Sequence, residues 1–491
     1  MPYSEPGREP QFAGEAELGS AGALGVTGRE NREGGGSWEN HGFAHTPSWG
    51  IQPVPDRLRV LRFTDTVLLW GNLSVSLLVI VAGGLLVPAL SLKLALLAIV
   101  VGALAGNLML GLAAMIGADA RVPGMVVLRA PLGRRGSYLP TIVNVAQNLG
   151  WTIFELLIIA TAAAALSDRV FGFKALWLWK LTFGAVAIAL ALLGPIGFVR
   201  RYVRKFAIWV VLASLAYLTW WTLDKSRLHE FWTAPSKGGF PSFWQGADLV
   251  LASVVSWTPL AADYTRFSRT RRGAFFGAGL GYFVPTVWMF GLGALLLLAR
   301  NISDAAAIPA AVATGGVVSV LALLSLTVDE SDEAFADVYS TAVSIQNVLP
   351  EVSQRLLIVL VAATGTLGTF LIDLRNYANF LYLLGSLFVP LFGVLLADWL
   401  LTGRHYSRVR IFEGPALRAP PIAAWLAGFA LYQWLSPTGP GWWTRLVHHT
   451  HPAPWDFTAS LPSFALAFGL TAFASLATRR RVPLPAIRAR F

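Results

Sequence analysis

The chain has 491 residues, 55% of them hydrophobic and only 13% charged, with a mean hydropathy of +0.58. Soluble domains carry about 25% charged residues, so this chain lacks the polar surface to cover a globule and does not read as a soluble enzyme. Its net charge of +11 would suit nucleic acid if the basic residues formed one patch. Instead they cluster in short loops between apolar stretches, the pattern that orients membrane proteins.

Residues 1–55 are polar and Gly-rich, as in GRENREGGGSWENHG, and read as a disordered cytoplasmic tail. No apolar stretch follows Met1, so a cleavable signal peptide is not expected, and the first span would act as an uncleaved signal. Apolar stretches long enough to cross a core roughly 30 Å thick then recur twelve times. They lie near 63–89, 92–117, 138–166, 175–197, 204–223, 245–262, 274–299, 310–347, 355–373, 377–401, 420–436 and 460–478. The expected fold class is an all-α polytopic membrane protein of about twelve transmembrane helices. Residues 56–402 would form the core, 403–478 two additional helices and 479–491 a basic cytoplasmic tail.

Basic clusters follow every second span: Arg121, Arg129, Arg134 and Arg135 after the second, Arg200, Arg201, Arg204 and Lys205 after the fourth, Arg479–Arg481 after the last. The positive-inside rule then places both termini in the cytoplasm of a cell-membrane protein. The absence of cysteine removes disulfides and thiolate metal sites. His448, His449 and His451 could bind a metal, but a solvated loop cluster reads better.

Span one is interrupted by Gly71, Asn72 and Ser74, and span six by Ser256 and Pro259. Backbone groups freed at membrane depth are tolerated where they line a cavity or find other partners. Breaks in spans one and six suggest two five-helix halves, about 63–223 and 245–401, arranged as inverted repeats around a midplane site.

Span three carries Gln147, Trp151 and Glu155 at i, i+4 and i+8, on one helix face. A charged group at the bilayer centre costs about 2.5–3.5 kcal/mol, so Glu155 should face protein, either as a hydrogen-bonded structural carboxyl or as a substrate or proton site. Span eight holds Asp329, Glu330, Asp332, Glu333 and Asp337 within an arc of roughly 160°. Five ionised carboxylates facing lipid would cost on the order of 12–17 kcal/mol. Either the span ends near Val328 and the acids form a loop, or the helix continues and they line a wet pocket. The helical spacing of AFADVYSTAVSIQNVL favours continuation. Spans three and eight are each third in their half, so a symmetric arrangement would set Glu155 and the acidic face beside the two breaks.

Trp151 and Trp257 sit beside an intramembrane acid and a break, where their rings could stack on a flat heterocycle or simply pack. Gly277, Gly279 and Gly281 in span seven suit close helix packing better than phosphate binding.

Four runs carry a resemblance: LGRRGSYLPTIVNVAQNLGW, SWTPLAADYTRFSR, EAFADVYSTAVSIQN and YLLGSLFVPLFGVLLADWLL. Together they resemble the nucleobase–cation symporter family of purine–cytosine permeases and of hydantoin, allantoin and hydroxymethylpyrimidine carriers. The resemblance implies a leucine-transporter-type fold, a five-plus-five inverted repeat with two added C-terminal helices. It implies that Trp151 and Trp257 sandwich a substrate ring, that Glu155 and Asp337 stand where amides usually bind it, and that Ser331 and Asp332 fall at the hydroxyl positions of a sodium site. Gln147 and Asn72 join the substrate candidates, and Gly71 and Ser74 the ion candidates, from position beside the breaks.

The carboxyls at 155, 332 and 337 depart from the family pattern. They suit proton coupling, or a substrate with a positive charge or several N–H donors. The expected function is a secondary symporter for a nucleobase or related N-heterocycle, coupled to Na+ or H+, with no cofactor, no metal beyond a sodium ion at Ser331 and Asp332, and no nucleic-acid partner. It is expected to work as a monomer in the lipid bilayer. Other readings are an importer of another nitrogenous or cationic solute such as allantoin, hydantoin or a vitamin precursor, a membrane-embedded carboxylate hydrolase, and a passive channel.

Overall fold

A computed structural model describes residues 51–193, 197–224, 228–346, 348, 352–450 and 455–479. The expected tails therefore fall almost wholly outside the described residues. The N-terminal boundary shifts, however: Val54 is buried, and its N–H donates to the Arg121 carbonyl at 2.9 Å, so packed structure begins before residue 56.

Regular structure among the described residues is helical, with one isolated β-bridge between Leu61 and Ser268. Span one is two helices, α1 (Phe63–Asn72) and α2 (Leu77–Gly84), bent by 64°. Ser74 turns its hydroxyl onto the Gly71 carbonyl, and Ser76 starts α2 by accepting from the Leu78 N–H. Short polar side chains thus serve backbone groups that a continuous helix would have paired. Span two is α3 (Leu92–Ala120), capped by Ser91 and closed by Arg121 with a positive φ. Span three is α4 (Tyr138–Phe171), and spans four and five are α5 (Leu176–Leu193) and α6 (Gly197–Asp224). The basic segment 200–205, expected in a loop, belongs to the first turns of α6.

Span six breaks as expected. α7 (Phe243–Val255) ends in turns around Pro259, which has no N–H to continue the ladder, and α8 (Ala261–Thr265) follows. Span seven is α9 (Arg271–Ala299). Span eight is shorter than read: a helix at Ile308–Ala313 stops at Gly316, φ +102°, before α10 (Val317–Gln346) begins. A left-handed residue cannot be part of a right-handed helix, and glycine adopts it without strain. α10 then runs unbroken through all five acids, so they do not form a loop after Val328. Spans nine to twelve are α11 (Gln354–Gly368), α12 (Tyr377–Leu401), α13 (Ala419–Leu435) and α14 (Ser460–Arg479). This set is compatible with twelve crossings.

Packing divides the core into two groups. Helices α1 and α2 pack on α9, while α7 and α8 pack on α3; α4 packs on α10 and α5 on α11. Spans one, two, six and seven thus form one bundle, and spans three, four, eight and nine another. Each group contains matching members of both halves. Within the first bundle the backbones touch. A Cβ on Gly83 would lie 2.0 Å from the Phe290 carbonyl oxygen, and one on Gly293 1.8 Å from that of Ile80. Gly277 and Gly281 likewise face Thr66 and the Val67 carbonyl, which is the close packing expected of the span-seven glycines.

The outer surface is apolar. On α3, Leu97, Leu104 and Leu108 are more than half exposed, whereas Asn107 is buried. That inside-out pattern fits a lipid solvent, in which apolar side chains gain nothing by hiding from the surroundings.

Candidate solute and cation site between the broken helices

Spans three and eight meet both breaks. From α4, Gln147 donates its side-chain N–H to the Ser256 carbonyl at the end of α7, 2.8 Å away. From α10, Glu330 reaches the start of α2. Its Oε1 accepts from the Ser76 hydroxyl at 2.7 Å and its Oε2 from the Leu77 N–H at 2.7 Å, while the Leu78 N–H lies 3.4 Å from Oε1. A helix N-terminus has free N–H donors and a partial positive charge, so the break in span one is an anion site filled by the chain's own carboxylate.

Glu155 faces this point from α4. Carboxylate oxygens of Glu155, Glu330 and Glu333 lie within 4.8 Å of one another, and Glu155 and Glu330 are 3% and 1% exposed. Glu155 shares a hydrogen bond with Glu330, and Glu333 stands beside the pair on α10. Like charges this close cannot all be ionised in a buried site unless a cation stands among them. Several polar atoms nearby also lack partners among the described residues, namely Glu155 Oε2, Gln147 Oε1, both amide atoms of Asn148, and the Tyr377 hydroxyl.

The remaining candidates divide. Asp337 is buried one helical turn beyond Glu333, on the same helix. Ser331 donates its hydroxyl to the Thr327 carbonyl at 3.1 Å, back along α10, and the side chain of Asp332 lies outside the described residues. Gly71 and Asn72 end α1; their carbonyls accept from the Ser74 hydroxyl at 3.1 Å and the Val75 N–H at 3.2 Å. These two oxygens are therefore already engaged, although each keeps a second lone pair.

The two tryptophans belong to separate aromatic groups. Trp151 is held edge-on by Tyr377 and Phe380 of α12, at centroid distances of 6.0 and 5.3 Å. Trp257 meets Trp70 edge-on at 6.0 Å and Tyr282 at a 56° tilt at 6.1 Å. Edge-on contacts fix ring orientation while leaving faces free. His448 and His449 lie at the end of a short helix, Gly441–His448, and His451 is outside the described residues.

Three residues of this region escaped the sequence reading as site members. Glu330 and Glu333 were visible as two of five acids, but periodicity cannot say which acid faces a helix end. Trp70, fully buried with its indole N–H unpartnered among the described residues, directly precedes the break, and that adjacency was the available signal.

Two discontinuous helices beside a polar centre, inside an apolar all-helical bundle, are the architecture of a membrane transporter. A profile described as "Permease for cytosine/purines, uracil, thiamine, allantoin" matches residues 53–414, and the chain belongs to that family. It is 25% identical over 410 residues to the cytosine permease of Escherichia coli (strain K12), covering 78% of this chain and 88% of that one. It is also 25% identical over 359 residues to the hydantoin permease of Microbacterium maritypicum, covering 69% and 72%. Among solved structures, the fold is similar to that of Mhp1, a nucleobase-cation-symport-1 family transporter, in a closed conformation with bromovinylhydantoin bound. There the TM-score is 0.70 at 19% identity, over 90% of this chain and 97% of the other. A manganese transporter of Eremococcus coleocola shares the fold more distantly, with a TM-score of 0.54 at 15% identity over 88% and 99% of the two chains.

Proposed function

We propose that this chain imports a flat N-heterocycle of the nucleobase or hydantoin type across the cell membrane, driven by a Na+ or H+ gradient, with both termini in the cytoplasm. The observation that carries the reading is the meeting of both helix breaks with α4 and α10: Gln147 on the Ser256 carbonyl and Glu330 on the Leu77 N–H. Substrates of the permease relatives named above support it.

In this reading Trp151 and Trp257 offer ring faces to the heterocycle. Glu155 and Asp337 accept its N–H groups, and Gln147 and Asn72 bound the site. The coupling ion sits near Gly71, Ser74, Ser331 and Asp332, beside the break whose far side, α2, meets α10. Binding energy comes from ring stacking and charge-assisted hydrogen bonds. Rocking of one four-helix group against the other then exposes the site alternately to the two sides.

The test is uptake of labelled cytosine by cells expressing the chain, competed by a panel of purines, pyrimidines and hydantoins, with the sodium and proton gradients dissipated in turn. Saturable uptake, blocked by some heterocycles and lost with one gradient, is expected. Uptake of none of them, or uptake indifferent to both gradients, would contradict the reading.

A further inference from the structure

The seam between α4 and α10 stays polar beyond the glutamates. At 100° per residue, Thr141, Asn144, Asn148 and Glu155 fall within an arc of roughly 60° on α4, and Glu330, Asp337, Thr341 and Ser344 within a similar arc on α10. The two faces meet: Glu155 shares a hydrogen bond with Glu330, and Asn144 donates to the Ser344 hydroxyl at 3.4 Å. Asn144 lies about 16 Å from Glu155 along the helix axis, toward the end of α4 that Arg134 and Arg135 precede. By the positive-inside rule that end is cytoplasmic. All six polar side chains of the two stripes beyond the acid pair are buried. Apolar packing would join two membrane helices without desolvating any polar group, so packing alone does not call for these stripes.

Asn148 is the centre of this stretch. It is 0% exposed, and neither its amide nitrogen nor its amide oxygen has a partner among the described residues. A buried polar atom left unserved costs about 1–3 kcal/mol, and ordered water is the usual remedy. The hydroxyls of Thr141 and Thr341 donate to carbonyls one turn back on their own helices, at 2.9 and 2.6 Å, and their oxygens keep lone pairs for a further donor. Asp337 and Ser344, on either side of Thr341, each remain 8% exposed, so the seam is not sealed along α10. Neither α10 nor α4 from Tyr138 to Glu155 carries a Lys, Arg or His, and no fixed positive charge bars a cation. Hard cations such as sodium take oxygen ligands, and the N–H groups of Asn148 cannot join such a shell. A file of water needs donors and acceptors in turn, and a free amide supplies both.

We propose that the coupling ion is a proton and that it reaches the cytoplasm along this seam, through water held by Asp337, Thr341, Asn148, Asn144 and Ser344. The solute leaves by another route, between the two four-helix groups. This rests on the importer reading and specifies its coupling. Asp337 accepts a proton from the glutamate side and gives it up to the water file. Its carboxyl O–H forms and breaks once per cycle, and the charge emerges as hydronium in the cytoplasm.

The experiment uses the purified full chain in liposomes loaded with the pH dye pyranine, with cytosine, hypoxanthine and hydantoin presented outside in turn. Uptake of a transported member should acidify the lumen and be driven by an inward proton gradient in the absence of sodium. Asn148→Leu should cut proton-driven accumulation at least ten-fold and Thr341→Val at least three-fold. Exchange of labelled for unlabelled solute needs no net proton movement and should stay within two-fold of the parent in both variants. Asn148→Ser, which keeps a hydroxyl and makes room for water, should recover most of the accumulation. Sodium-driven uptake without acidification would overturn the proposal and leave the importer reading standing. Accumulation unchanged in both variants would overturn it as well, and so would exchange lost in step with accumulation, which marks a structural defect. Uptake of none of the three solutes would contradict the importer reading and this inference with it.

Discussion

Asp119 and Asp398 are as deeply buried as Glu155 and Glu330, but their surroundings are opposite in kind. Asp119, near the end of α3, is met by Arg271, by the His405 ring nitrogen at 2.9 Å, by the Trp399 indole N–H at 3.1 Å and by the Tyr406 N–H at 3.0 Å. Asp398, near the end of α12, accepts from Arg410 at 2.8 and 3.0 Å, from Arg418 at 2.8 Å and from the Tyr406 hydroxyl at 3.0 Å. Every lone pair there has a donor, and both charges have cations. At the helix breaks, Glu155 shares a hydrogen bond with Glu330, lies beside Glu333, and keeps one oxygen without a partner among the described residues. The first region is built to be stable as it stands. The second satisfies Glu330 but leaves an oxygen of Glu155 open among the described residues, which is what the proposed solute and ion site calls for.

Substitutions can break or sharpen that contrast. The largest loss should follow Asp398→Ala, which strands two guanidinium groups against a buried pocket. Breaking a buried pair costs about 3–5 kcal/mol, and the lower end applies because Arg410 and Arg418 stay partly exposed. A clear fall in thermal melting temperature and in folded yield is expected; an unchanged melt would show that the paired region is not structural. Gln147→Ala should come next, at about 1–3 kcal/mol, because it leaves the buried Ser256 carbonyl without its donor. A melt within error of the parent would detach Gln147 from the break. His405→Ala should cost no more than about 1 kcal/mol, since the ring is more than half exposed and Asp119 keeps its other partners. Glu155→Gln should have the smallest effect, with the opposite sign: no loss, or a gain of up to about 1 kcal/mol, as removing one acid relieves repulsion at a site shaped for function. A destabilisation as large as that of Asp398→Ala would erase the distinction between the regions.

The sequence made the same contrast only half visible. Interrupted apolar spans are local signals, so the breaks at 71–74 and 256–259 could be read directly, and helical spacing put Gln147, Trp151 and Glu155 on one face. Symmetry between the halves then pointed the acids of span eight toward the breaks, and the structure brings Glu330 to one of them. What could not be read was long-range pairing. Asp119 and His405 are 286 positions apart and Ser76 and Glu330 254, and no spacing rule joins such residues. The division at Gly316 was missed for another reason: the residues on both sides are apolar, so the span read as continuous although its glycines carry a turn.

Accumulation in proteoliposomes tests the central claim most directly. Purified chain, reconstituted and given an inward cation gradient, should raise labelled heterocycle inside above its outside concentration, and Glu155→Gln, though folded, should abolish that rise. Internal label that only equilibrates with the outside, or a Glu155→Gln protein that concentrates it as well as the parent, would contradict the account.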